Sequence, residues 1–206
     1  YELAVKVYSK FPGSEMVAAS FLQKAIDNDT SKSNKMMYMK EAADMFGKAQ
    51  MYNEQVKWLN QYNTLKGTMG EYDYYVITNA AYSGMDYVNT MQYAQKYIAD
   101  FYDKPQGYSF NIRAARALDT TTNPGILVEA LLYNNTYLAK DTAKNNKSIA
   151  SNYYTIMIHY ADKMKDYSTA LEYCNKFLEI YPEDPEMLGI KKQLETLVNK
   201  AKPTSK

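Results

Sequence analysis

The only two arginines in the chain, Arg113 and Arg116, stand three residues apart. On a helix that spacing places both guanidinium groups on one face. A guanidinium can hold a carboxylate at two points, a geometry that a lysine ammonium does not reproduce. Earlier in the chain, Tyr75, Asn79 and Tyr82 follow an i, i+4, i+7 spacing, which is again one helical face. Tyrosine and arginine are the residue types most enriched at binding hot spots. The chemistry on offer is recognition: aromatic faces, an amide and fixed positive charge. Each set also has a structural reading. Tyr82 can pack against a neighbouring helix, and the arginines can pair with acidic or phenolic neighbours.

Other chemistries find little support. The chain has one histidine, His159, and one cysteine, Cys174. That excludes a disulfide framework, a multi-cysteine zinc site and a histidine-rich metal site. No phosphate-cradling glycine loop, nucleophile elbow or Cys/His pair with an orienting group occurs. The pair Glu41 and Asp44 has the spacing of an exposed helix face rather than of a carboxylate metal site. Asn28, Asn134 and Asn146 open Asn-x-Ser/Thr triplets, expected by chance in an asparagine-rich chain. The reading therefore expects no enzyme, no cofactor and no metal. With 24 basic and 23 acidic side chains the formal net charge is +1. That balance argues against gripping nucleic-acid phosphates.

The elements that must position these residues are helices. The chain has 206 residues, only 8 Gly and 6 Pro, and no alternating-period strand of useful length. From Tyr154 to Tyr181 apolar residues recur in helical steps, in two blocks broken near Lys165-Asp166. Breaks also fall at Pro12-Gly13, Gly67 to Gly70, Lys104-Pro105, Asn123-Pro124, Asp141 to Lys147 and Pro182 to Pro185. Asp184-Pro185 reads as an N-cap followed by a first-turn proline. Trp58 reads as an inter-helix anchor and Cys174 as a buried small apolar group. No apolar run approaches the length of a membrane span. The chain opens at Tyr1 with no leader pattern, and the reading expects a trimmed piece of something longer.

The sequence also repeats itself. A slide of 80 residues matches Tyr74 with Tyr154, Ala81 with Ala161, Asp86-Tyr87 with Asp166-Tyr167, and Tyr93 with Tyr173. First-helix anchors fall at Met39, Tyr74, Tyr108 and Tyr154, steps of 35, 34 and 46. Two helices per step of about 34 residues resembles the tetratricopeptide repeat. The best copy, Ser151 to Asp184, carries the early aromatic Tyr154, the small Ala161 at the helix crossing, Asp166-Tyr167, Ala170 and the closing Pro182. It departs from the family at Ile158 and Phe177, as the first copy does at Gln55.

The resemblance implies an all-α fold: a right-handed α-solenoid of antiparallel helix pairs with a C-terminal capping helix. The expected repeats are residues 35–67, 71–104, 105–147 and 151–184 of one solenoid over 1–206. Residues 1–34 hold the tail of a preceding repeat plus an irregular helix, and 185–201 the cap, with Met187, Ile190, Leu194 and Leu197 inward. The third copy is stretched by Thr120 to Asn123 and by Asp141 to Lys147. In the family, outward positions of each first helix contact ligands. Here these are Met37, Lys40, Asp44 and Lys48; Tyr72, Tyr75, Asn79, Tyr82 and Ser83; Ser109, Arg113 and Arg116; and Asn152, Thr155, His159 and Asp162. The expected partner-binding set is Tyr72, Tyr75, Asn79, Tyr82, Arg113, Arg116 and His159. The family's two-carboxylate clamp is not reproduced. The implied function is a non-catalytic scaffold that takes a protein or peptide in a concave groove, with no nucleic acid and no membrane insertion. The alternative is a regulatory segment of a larger enzyme or signalling protein. The Tyr-, Asn- and Lys-rich usage leans towards a bacterial periplasmic or cell-envelope protein.

Overall fold

The computed structural model describes residues 1–8, 10–120 and 125–201. The described residues form α-helices, one 3-10 turn and one π-helical segment. The helices are α1 (Glu2–Tyr8), α2 (Glu15–Asn28), α3 (Lys32–Lys48), α4 (Tyr52–Lys66), α5 (Glu71–Ser83), α6 (Tyr87–Asp100), α7 (Pro105–Leu118), α8 (Ile126–Leu138), α9 (Thr142–Ile158), α10 (Tyr167–Ile180) and α11 (Pro185–Ala201). The helices pack as stacked pairs, the all-α architecture that the sequence predicts. The chain divides into two compact units, Tyr1–Ala117 and Leu118–Lys206. The expected third repeat, 105–147, lies across that division, and most of its Thr120 to Asn123 stretch lies outside the described residues.

In the first unit each helix from α1 to α5 packs on the next. Small residues on α3 (Ala42, Ala43) let Phe46, Trp58 and Leu59 close a core with Leu22, Ile26 and Ile77. Gln55, out of place against the family pattern, faces Gly47. A Cβ there would lie 2.5 Å from its amide nitrogen, so room is made on the opposite helix. Further along, Tyr74 stacks on Tyr97 at 5.7 Å, and Tyr97 is 1% exposed. Helix α7 reaches α6 at Gly107, where a Cβ would sit 2.8 Å from Ile98 Cγ1 and 3.2 Å from its backbone nitrogen. Only a residue without a side chain permits that approach.

Short polar side chains start the helices. Ser31, Asp86, Asp141, Asp166 and Asp184 each accept a backbone N–H three residues on. Each satisfies a donor that the first turn cannot. Three inner turns share one more device. Gln50, Met85 and Lys165 all have positive φ, at 58°, 58° and 53°, one residue before α4, α6 and α10 take their N-caps.

The second unit stacks α8, α9, α10 and α11 in order. Its α9 runs into the π-helical segment His159–Met164. A π turn holds one more residue than an α turn. The insertion is visible in the closing hydrogen bonds. Met51 N reaches Phe46 O and Asp86 N reaches Ala81 O, each five residues back, whereas Asp166 N reaches Tyr160 O, six back. The slide of 80 thus holds from Asp166 onward but becomes 79 within α9. Tyr154 is 37% exposed and Ala161 only half-buried, whereas Tyr74 and Ala81 are buried. Tyr153, Ile156, Met157 and His159 take the places of Tyr74, Ile77, Thr78 and Ala80. The expected fourth-copy register is corrected by that one residue.

Helix α11 begins at Pro185 behind Asp184, as predicted. Met187 and Leu194 are buried, Ile190 is half-buried and Leu197 is exposed. Trp58 and Cys174 are buried as expected. Burial pushes the Cys174 thiol up.

Candidate partner-binding face

Helix α5 buries Tyr74, Ile77, Thr78, Ala80 and Ala81. What remains outward is Tyr72, 71% exposed, Tyr75, 42% exposed, the exposed Asn79 and the half-buried Tyr82. Helix α7 buries Phe110, Ala114 and Ala115 and leaves Arg113 and Arg116 exposed. The two helices meet through Phe110. Its ring lies 5.8 Å from that of Tyr75 and 6.4 Å from that of Tyr82. Arg113 then covers Tyr82: the guanidinium carbon is 3.8 Å from the ring centroid and 5.6 Å from that of Phe110. Tyr87, the first residue of α6, meets Tyr82 edge-on at 5.8 Å. Three of the expected residues, Tyr75, Tyr82 and Arg113, are therefore joined through the single ring of Phe110.

Phe110 and Tyr87 are absent from the sequence-derived set. The signal for Phe110 was available, since it stands one turn before Arg113. Among the described residues neither guanidinium forms an ion pair. The acids of α5 sit in its first turn and are engaged there: Asp73 holds Lys66 and the Gly70 N–H, and Glu71 lies 3.6 Å from Lys104. A guanidinium stacked by its face keeps its edge N–H groups free to donate.

The other expected positions divide. Met37, Lys40, Asp44 and Lys48 of α3 line a cleft of about 690 Å³ with Val5, Pro12 and Glu15. His159 belongs to no open face. It is 6% exposed, because the inserted π residue turns it inward by roughly the 100° that one helical residue subtends. Asn152 is likewise engaged, its amide donating to Asn135 of α8 at 2.7 Å.

Solved structures similar to this chain include two helical-repeat proteins. The C-terminal part of a TPR repeat-containing protein from Cytophaga hutchinsonii is 18% identical, with a TM-score of 0.48, over 86% of this chain and 72% of that one. YrrB, described as a TPR protein with an unusual peptide-binding site, is 16% identical, with a TM-score of 0.43, over 93% of this chain and 97% of that one. No family model matches the sequence, and neither does any curated protein.

Proposed function

We propose that this chain is a non-catalytic interaction scaffold that holds a protein or peptide partner on the shared face of α5 and α7. The observation that carries the reading is Arg113, laid over Tyr82 without an ion-pair partner among the described residues, with Tyr72 and Tyr75 exposed on the same helix as Tyr82. Ring stacking fixes the guanidinium in advance, so less side-chain freedom is lost when a partner binds. Tyr72 and Tyr75 add wide, stiff contact area with a polar tip. The α3 cleft, flanked by Lys40, Asp44 and Lys48, extends the surface available to a longer partner.

The test is affinity capture from the source organism, with the Arg113→Ala/Arg116→Ala and Tyr75→Ala variants run beside the parent. Both variants should keep the parent's helicity, lower the melting temperature by no more than a few degrees and lose the captured partner. Retention of the partner by both would place binding on another surface.

A further inference from the structure

The second unit holds a buried acid that the partner-binding face does not use. Asp119 follows α7, and its side chain is 1% exposed. Its Oδ1 accepts the backbone N–H of Gly125, the N-cap of α8, at 2.9 Å. Its Oδ2 accepts the Lys163 ammonium at 2.6 Å, and the same ammonium donates to the Asp119 carbonyl at 3.1 Å. His159 Nδ1 lies 3.4 Å from that same Oδ2. This ring nitrogen is buried and has no hydrogen-bond partner. His159 and Lys163 stand four apart in the π-helical segment, which delivers both to one carboxylate oxygen.

One oxygen is thus shared between a lysine already bound and a histidine placed beside it. Protonation would make Nδ1 a donor aimed at a carboxylate, a charge-assisted bond stronger than a neutral one. Two cations on one buried oxygen repel each other. Their exits differ. The Lys163 side chain is 51% exposed and can move into water, whereas the His159 side chain is 5% exposed and cannot. We infer that Asp119 Oδ2 is a proton-linked exchange site, where protonated His159 replaces the Lys163 ammonium and releases it to solvent.

The surroundings suit such an exchange. Tyr160 meets the His159 ring edge-on at 5.7 Å and is itself stacked on Tyr173 of α10. The remaining charged groups on the neighbouring segments, Glu129 of α8, Lys144 and Lys147 of α9, Asp162 and Lys165 after it, Asp166 before α10, and Glu172, Lys176 and Glu179 within it, are all exposed. Burial pushes the Asp119 carboxyl up, but the Lys163 hydrogen bond, the Gly125 N–H, and the Lys163 and His159 charges outweigh it and hold the group below its ordinary value. The carboxylate therefore stays charged wherever an imidazole titrates.

Because the chain has a single histidine, its imidazole proton signals are assigned without ambiguity. The experiment follows His159 by NMR against pH in the parent, Lys163→Met and Asp119→Asn, together with the Lys163 side-chain nitrogen in the parent. Removing the competing ammonium should raise the proton affinity of His159 by about tenfold or more, and removing the carboxylate should lower it by a similar factor. The Lys163 signal should move in step with His159. Circular dichroism checks that each variant is folded, and Lys163→Met carries the test alone if Asp119→Asn is not. Identical His159 titrations in the parent and Lys163→Met, or a Lys163 signal that stays still while His159 titrates, would overturn the exchange.

Discussion

Arg113 gains its setting from two rings, Tyr82 beneath it and Phe110 at its side. At an exposed site a cation over an aromatic face contributes roughly 0.5–1 kcal/mol. Tyr82→Leu should therefore lower the urea-unfolding free energy by at least that amount, since it also removes the ring contacts with Tyr87 and Phe110. Unchanged stability would mean that the guanidinium is held by something else. Tyr74 and Tyr97 show a second residue-scale effect. Burial, assisted for Tyr74 by its hydrogen bond to Asp100 and for Tyr97 by the Glu71 charge, pushes both phenols up to about 12. An unfolded tyrosine loses its proton near 10. The folded phenols keep theirs, so the unfolded chain binds fewer protons between those values and stability falls as pH rises. Unfolding free energy measured from pH 9 to 12 should decline through that window, and Tyr74→Phe should flatten part of the decline. The types and spacing of Tyr75, Tyr82 and Arg113 made this face readable from sequence alone. Phe110 was passed over because a lone apolar residue on a helix reads as core, which it also is.

At the scale of elements, the inner turns explain what spacing could and could not reveal. Helix pairs, the Asp184-Pro185 cap and the steps of 35 and 34 residues between Met39, Tyr74 and Tyr108 follow from local rules, and the structure keeps them, with all three anchors buried. The extra residue in His159–Met164 was not legible, because Asp166-Tyr167 and the helix after it remain in phase with Asp86-Tyr87. A slip confined to one turn leaves the flanking pattern intact while it rotates one face, and His159 turned from an outward position to a buried one. The same turns carry a stability prediction. Met85 and Lys165 occupy the left-handed region, which costs a side-chain-bearing residue roughly 1–2 kcal/mol. Glycine removes that cost and loses some of the gain to greater freedom when unfolded. Met85→Gly and Lys165→Gly should each stabilise by about 0.5–1 kcal/mol in denaturant melts. A loss of stability in both would show that the side chains are held by contacts stronger than the backbone strain.

Over the whole molecule, helical punctuation and an internal repeat point to stacked helix pairs, and that is the architecture found. The division at residues 117 and 118 was not foreseen, since repeat spacing reports similarity between copies and not how tightly neighbours pack. Among the described residues no helix is long and apolar enough to cross a membrane. The proposed recognition face lies in the first unit, where Arg113 covers the ring of Tyr82. Hydrogen exchange with a captured partner bound puts that assignment to the most direct test. Amides of Glu71–Ser83 and Pro105–Leu118 should exchange more slowly in the complex than in the free chain. Protection confined to other helices, with those two unchanged, would contradict it.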